Sequence, residues 1–579
     1  MGGSELAEMD GGAMECGDTS IFELLEEGLR KSPDEPAVIV MHQPPQHLAE
    51  LVEVARVSTP RGSQCLSWTF TELHRAACRL ASGVMAQGVR PGSTILTLIP
   101  NCVEWFAVQW VSALMKLTVV SVDPAAVQEP RRPELESYLR LNPDVILVAD
   151  REGALAVDRA LHAVRTSKQP LRMQLQEDSA EGWRSFLEIG RKGARTHIEV
   201  EQLIADAKRD DPERVCQIVY TSGTSSGNPK GCPKTVKLIV NTLLIRAPND
   251  ARPGRFVVNT ANFRVIAPGF TLTQWVTGGA CIMPSESFGP RTTLDAIETH
   301  KATYLLLVPS MLYALRDDPS TLSHRLSGVQ RVILGGDMIT RATMRAAQQL
   351  FPDAKIVNSP GMTEGVASFR WPFTDVPVDE LPYHGDICPI GEVVPGVKIR
   401  LWDHVQGRIV GRGETGEFHI CSDRFIDHYL DNAHPEAFYN DASGRWFKTG
   451  DLGLLTPRGL LYILGRIKDV IIRGGVNVVP AALEDCINGF TGGQSSVIGT
   501  SSAMYGHEPF AVLDTFGGKN EEEVKQRVRD LFGAAYALGG VATLEQLDLD
   551  CFPVNSTDKI MKIELQKMVG LYLSKNRPW

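Results

Sequence analysis

The chain has 579 residues, 43% of them apolar and 22% charged, with a formal net charge of −10. That composition fits a soluble globular protein and excludes a collagen-like or wholly disordered chain, while the length implies several domains or large lobes at roughly 150 residues each. The acidic balance argues against an extended nucleic-acid-binding surface, so no nucleic-acid partner is expected.

Met1–Thr19 carries Glu5, Glu8, Asp10 and Glu15 and no apolar run. It is not a signal peptide, and residues 1–18 read as a flexible lead-in. The apolar stretch Trp105–Met115 is bounded by Glu104 and Lys116. It falls short of the ~20 residues of a membrane span, so no transmembrane segment is expected. Eleven cysteines, an odd number with no CxxC pair, read as reduced, mostly buried thiols of a cytoplasmic protein.

Further on, Val145–Ala149 and Val215–Tyr220 read as strands, the second running into a Gly/Ser loop. Leu294–His300 reads as a helix, Tyr304–Val308 and Arg331–Leu334 as strands, Arg341–Leu350 as a helix and Lys355–Val357 as a strand. Alternation of this kind predicts parallel α/β layers, whose ligands sit at the carboxyl ends of strands. Three glycine-containing loops fall at such ends and point to one shared site. After about residue 390 the texture changes: Gly391–Asp403 and Gly416–Ser422 read as strands with turns. A boundary is expected near Gly465–Lys468, giving a large α/β N-terminal domain of layered sheets and helices over 19–464. Residues 465–579 then form a small α+β C-terminal domain, with a helix near Glu521–Phe532.

Four segments carry candidate chemistry. Tyr220–Gly231 (YTSGTSSGNPKG) follows a strand and combines hydroxyls, glycines and Lys230. Glycines let backbone approach phosphate oxygens, hydroxyls and amides donate to them, and the lysine adds a point charge. A surface loop has the same composition, and the spacing is not that of a Walker loop. Asn358–Glu364 (NSPGMTE) ends in a carboxylate that can hold Mg²⁺ with phosphates completing the shell; a lone loop Glu is also commonly just solvated. Asp451, in Trp446–Gly453 (WFKTGDLG), can accept from a ribose diol or serve as a turn aspartate. Gly465–Gly475 (GRIKDVIIRGG) joins cations to a strand and a double glycine, which is equally the pattern of an exposed charged turn.

In this order and spacing the segments resemble the adenylate-forming superfamily of acyl-CoA synthetases, aryl-CoA ligases, nonribosomal adenylation domains and luciferases. Thr221–Lys230 is similar to its phosphate-binding signature, Thr363-Glu364 to its Thr-Glu signature, Lys448–Gly453 to its Thr-Gly-Asp signature, and Gly465–Asp469 to its Gly-Arg-x-Lys-Asp signature. Leu66–Leu73 and Ala113–Pro124 fit early family segments, and Pro553–Ile560 resembles the terminal lysine motif. The resemblance runs from about residue 20 to 570. Three positions depart from it: Pro360 stands where an aromatic packs on adenine, Asp558 where glycine precedes the terminal lysine, and Arg264 where many CoA ligases have histidine.

The resemblance implies ATP, Mg²⁺ and CoA as cofactors or co-substrates and a small carboxylic acid as substrate. The acid attacks the α-phosphate of ATP, giving acyl-adenylate and pyrophosphate; a thiol then displaces AMP. The catalytic residues implied are Lys559, Thr224 and Glu364, with Glu364 on the metal. ATP is held by Thr221, Ser222, Gly223, Thr224, Ser225 and Lys230 at the phosphates. Gly335, Gly336 and Asn358 border adenine, with Pro360 at the usual stacking position. Ser359, Gly361, Met362, Thr363 and Lys559 complete the ATP-binding set, and Asp451 and Arg466 fix the ribose. Lys468 is the expected hinge of a mobile C-terminal domain, and Arg473, Gly474 and Gly475 line the CoA path. Arg264 repels an amino-acid ammonium and is assigned to the acid or to the CoA phosphates. Trp275 and Phe270 either line an acid pocket or pack the core. Gly492–Ser496 faintly matches a carrier serine site but reads as a turn. The acid is expected to be aliphatic, polyketide-derived or aryl. Two other readings stay open: loading of the adenylated acid onto a separate carrier protein, and a catalytically impaired nucleotide binder.

Overall fold

The computed structural model describes residues 5–14, 17, 19–52, 64–164, 168–195, 200–221, 229–247, 253–554 and 560–576, with backbone only at 477 and 576. Two seven-stranded sheets form the body. The first runs Gly231–Thr235, Val215–Tyr220, Thr118–Ser121, Thr94–Leu98, Val145–Val148, Leu171–Gln174 and Arg184–Ser185, parallel except for the first pair. The second runs Lys355–Asn358, Arg331–Leu334, Tyr304–Leu307, Arg255–Val257, Ala280–Met283, Pro36–Val40 and Leu66–Thr69, parallel except for the last pair. The expected strands are therefore present, with ends moved by at most a residue or so, and the expected helices are Pro290–His300 and Arg341–Leu350.

Local rules explain several starts. Thr69 caps the helix Phe70–Met85 through the Glu72 amide, while the Glu72 carboxylate accepts from the Thr69 amide, so LSWTFTEL is a strand ending in a capping box. The apolar stretch after Asn101 is the helix Val103–Leu114, buried on nearly every side. A helix apolar all round belongs in a core. Trp105, Phe106 and Trp110 are fully buried there, with Trp275 against the latter two. Burying each such side chain contributes roughly 2–3 kcal/mol. Trp275 also donates its indole N–H to the Ala37 carbonyl at 3.1 Å, so it packs the core. Among the described residues no helix is long and apolar enough to cross a membrane.

A third, antiparallel sheet carries Glu8–Asp10, Val397–Asp403, Thr415–Ser422, Gly444–Leu455 and Phe438–Asp441 in that order, with Arg408–Ile409 and Leu461–Arg466 at its flanks. The expected lead-in is corrected here. Glu8–Asp10 pairs with Lys398–Arg400 as an edge strand, and the Ala7 amide donates to the Val410 carbonyl. Acidic side chains on an edge strand point to water while the backbone pairs, which composition alone hides. A five-stranded sheet follows: Val476–Val478, Ile471–Arg473, Gly506–Leu513 and Ser495–Ser502, with Gly540–Thr543 parallel to Gly506–Leu513. Helices Pro480–Thr491, Glu521–Phe532 and Lys562–Asn576 accompany it. The change of sheet falls across the short turn Ile467–Asp469. Ser495 and Ser496 lie buried in a strand, so that segment is no carrier site.

Candidate active site

The loops at the carboxyl ends of the second sheet interlock. The Ser359 amide donates to the Leu334 carbonyl at 2.8 Å, and the Gly335 amide to the Leu307 carbonyl at 3.3 Å. Asn358 is buried and donates its amide N–H to the Pro389 carbonyl at 2.9 Å. A Cβ on Gly335 would lie 2.6 Å from the Ser359 carbonyl oxygen, and Gly336 has φ +78° with Val308 against it. Only glycine fits both demands, which brings Gly335, Gly336, Asn358 and Ser359 into one wall. Pro360 and Gly361 continue that loop.

The chain then closes a tight turn. The Met362 amide donates to the Gly365 carbonyl at 3.0 Å and the Gly365 amide returns to Met362 at 3.2 Å. Thr363 and Glu364 occupy the tip. Glu364 accepts from the Tyr429 hydroxyl at 2.5 Å, and its backbone carbonyl accepts from the Ile426 amide. Tyr429 is almost fully buried, and burial together with the Glu364 carboxylate pushes its phenol far above the ordinary range. It is therefore a fixed donor. Over its ring, 4.7 Å from the centroid, lies the Lys230 ammonium.

Lys230 comes from the other sheet. The strands Val215–Tyr220 and Gly231–Thr235 pair in antiparallel register. Two bonds pinch the segment between them: Thr221 amide to Lys230 carbonyl at 2.9 Å, and Lys230 amide to Thr221 hydroxyl at 3.1 Å. Ser222, Gly223, Thr224 and Ser225 lie outside the described residues, as do Asp558 and Lys559.

Asp451 and Arg466 face each other as register partners, with a 3.1 Å ion pair. Asp451 sits in a bulge: between Glu417 and His419 the register opposite jumps from Leu452 to Lys448. The bulge is anchored by the Thr449 hydroxyl donating to the Phe418 carbonyl at 2.8 Å and by the Asp451 amide donating to the Thr449 hydroxyl. Bulges re-aim side chains in this way. Arg466 also donates to the Thr449 carbonyl at 2.8 Å.

Lys468 follows in the turn between sheets. Burial lowers its pKa, and the cations Arg466 and Lys230 lower it further against the opposing pull of Asp469. Three cations thus share one field, with Arg466 paired to Asp451, Lys468 offset by Asp469, and Lys230 over the Tyr429 that holds Glu364. Arg473, Gly474 and Gly475 lie apart. The two glycines form the two-residue turn of a hairpin, both at positive φ. Arg473 donates to the Ala534 and Ala535 carbonyls and stacks 3.8 Å from the Tyr505 ring centroid. Arg264 stands before the helix Ile266–Val276, over its neighbour Phe263 at 4.8 Å. Phe270 stacks on Phe256 and carries the Arg246 guanidinium at 4.4 Å. The sequence reading missed Tyr429; its bond spans 65 positions and leaves no local signal.

The Glu364 carboxylate fits a magnesium ion: one oxygen is held by the Tyr429 hydroxyl, which leaves the other oxygen for a cation. Mg²⁺ is commonly bound by one or two carboxylates plus phosphates.

An acyl-CoA ligase of Pestalotiopsis microspora is 35% identical over 98% of this chain and 99% of its own. An acyl-CoA ligase of Aspergillus fumigatus is 26% identical over 88% and 87%, and a mitochondrial medium-chain acyl-CoA ligase of Mus musculus 23% over 96% and 88%. The fold matches ATP-bound MatB from Rhodopseudomonas palustris at TM-score 0.72 and 20% identity, covering 95% of this chain and 99% of that one. An anthranilate CoA ligase bound to anthranoyl-AMP matches at TM-score 0.76 and 19% identity, covering 96% and 98%. The family model described as AMP-binding enzyme matches residues 26–430. The chain belongs to the AMP-binding enzyme family.

Proposed function

We propose that the protein is an acid–thiol ligase that activates a carboxylic acid with ATP to the acyl-adenylate and passes the acyl group to CoA. The observation that carries this reading is the convergence, at the strand ends, of Lys230, Tyr429-fixed Glu364 and the Asp451–Arg466 pair. The first half-reaction joins two anions, so catalysis rests on positioning and charge neutralisation. Lys230, with Thr221, Ser222, Gly223, Thr224 and Ser225, is assigned to the β- and γ-phosphates. Gly335, Gly336 and Asn358 to Thr363 border adenine, where Pro360 gives an apolar edge without a stacking ring. Asp451 accepts from the ribose and is oriented by Arg466. Glu364 holds Mg²⁺, which supplies charge neutralisation of the departing pyrophosphate. Lys559 bridges the acid and the α-phosphate.

The relatives above are named as CoA ligases, which favours free CoA over a carrier protein as acceptor. The units 19–464 and 465–579 are assigned as two domains pivoting at Lys468. This is supported by Leu461–Arg466 and Ile471–Arg473 belonging to different sheets across a three-residue turn. Arg473, Gly474 and Gly475 are assigned to the pantetheine path, and Arg264 to the acid or the CoA phosphates. The acid is aliphatic, polyketide-derived or aryl.

The test is pyrophosphate release with ATP and Mg²⁺ over a panel of fatty, aryl and amino acids, with and without CoA. Release with one acid class, coupled to CoA consumption, is expected. Release without CoA consumption would move the acceptor to a carrier protein, and ATP binding without release from any acid would refute the ligase.

A further inference from the structure

A second polar cluster lies behind the ribose-facing bulge, on the antiparallel sheet. Glu417 and His419 are two apart on the strand Thr415–Ser422, so they point to one face. Their register partners on Val397–Asp403 are Trp402 and Arg400, and His404 follows two residues after Trp402 in the hairpin loop. The three side chains meet. Glu417 Oε2 is bonded to His404 Nε2 and lies 2.8 Å from His419 Nε2, and the three potential ligand atoms fall within 4.8 Å of one another. Glu417 and His419 are 7% and 1% exposed, while His404 is open to solvent.

We propose that His404 Nε2, Glu417 Oε2 and His419 Nε2 form a binding site for one Zn²⁺ ion, with solvent at the position His404 leaves open. Two imidazoles and one carboxylate are a nitrogen-rich set that suits zinc and is a poor match for magnesium or calcium, which want oxygen. The surrounding shell fits as well. A metal-bound histidine donates its other ring N–H to a fixed acceptor, and His419 Nδ1 lies 2.7 Å from the Tyr439 hydroxyl oxygen. That oxygen is held by two Arg400 N–H groups at 3.0 and 2.6 Å, and Arg400 is neutralised by Asp441 at 2.7 Å. On binding, the ring proton of His419 moves from Nε2 to Nδ1, and the Tyr439 hydroxyl, now a donor to Nδ1, becomes its acceptor by giving up one of its two Arg400 bonds and turning its own proton away. Zinc–ligand bonds of about 2.0–2.2 Å imply ligand atoms about 3.3 Å apart, so the buried Glu417–His419 pair, now 2.8 Å apart, opens by about half an ångström and exposed His404 retreats outward further. The ion would tie the 403–408 hairpin to the strand whose Phe418, between the two buried ligands, anchors the Asp451 bulge.

The test uses tag-free, chelator-treated full-length protein. Titration with Co²⁺ as a spectroscopic probe, then displacement by Zn²⁺, is expected to give visible absorption saturating at one equivalent. His404→Ala, at an exposed position that leaves the fold intact, and Glu417→Gln each weaken binding at least about tenfold, and Tyr439→Phe by about 10–100-fold. Zn²⁺ raises the Tm of the parent and not of His404→Ala. Absorption that survives His404→Ala but is lost in Cys551→Ser would place the ion on the exposed thiol and overturn the proposal. An absence of absorption with an unchanged Tm would overturn it too.

Discussion

The residues assigned to the nucleotide and those assigned to the thiol path are held in different ways. Glu364 is locked by Tyr429, 65 positions away, and Asp451 by Arg466 and by a bulge anchored on a neighbouring strand. Arg473 and Gly474, in contrast, bond inside the C-terminal unit, with Ala534, Ala535 and Tyr505. The proposed pair of half-reactions would use this division, with Glu364 and Asp451 held to the body and Arg473 and Gly474 riding on the unit proposed to pivot.

The comparison is broken or sharpened by variants that separate the half-reactions. The largest effect is expected from Lys559→Ala, which should lower pyrophosphate release by about 10²–10³-fold while sparing thioester formation from supplied acyl-adenylate; equal loss in both assays would remove Lys559 from its assigned role. Asp451→Ala deletes charge-assisted hydrogen bonds worth about 1.5–3 kcal/mol, so kcat/KM for ATP should fall by roughly 10–100-fold. Because Asp451 is fixed to the body, its effect should appear with every acid. Lys468→Pro restricts the turn between the sheets and should slow thioester formation more than adenylation, a few-fold to tenfold; an unchanged ratio would count against a pivot there. Tyr429→Phe keeps the ring beneath Lys230 but removes the donor to Glu364. At about 0.5–1.5 kcal/mol for one hydrogen bond, the Mg²⁺ concentration giving half-maximal rate should shift only a few-fold.

The smallest effect is a pH dependence. Asp485, on the helix Pro480–Thr491, faces Thr340 and Asp386 of the larger unit, and burial with the Asp386 carboxylate pushes it from 3.8 up to about 6. A raised carboxyl favours the state that keeps its proton. The present arrangement of the two units is therefore unpenalised below about pH 4 and weakens as pH rises through about 6. Fluorescence transfer between labels on the two units, read from about pH 4 to 7, should show this shift between about pH 4 and 6, and Asp485→Asn should flatten it.

Much of this was legible in the chain. Runs such as YLLL and RVIL become strands, the first one residue shorter than expected, because leucine and β-branched residues suit a largely covered parallel sheet without strict alternation. Gly474-Gly475 marks its own hairpin, since only such a pair accepts two positive φ values cheaply. What escaped is long-range. Tyr429, the Asp485–Asp386 approach and the pairing of Glu8–Asp10 each depend on a partner distant in sequence, with no periodicity or turn chemistry to announce it. Trp275, which a pocket and a core could both claim from sequence, was decided by its bond to Ala37.

The strand Glu8–Asp10 has a consequence for how the protein is handled. It occupies the rim of the antiparallel sheet that carries Asp451, bonded along Lys398–Arg400. Removing the first dozen residues would uncover a row of unpaired backbone donors and acceptors, and a bare sheet rim is a template for another chain. A shortened protein would therefore tend to self-associate at that rim while its active site remained intact, so the segment serves as a guard of solubility.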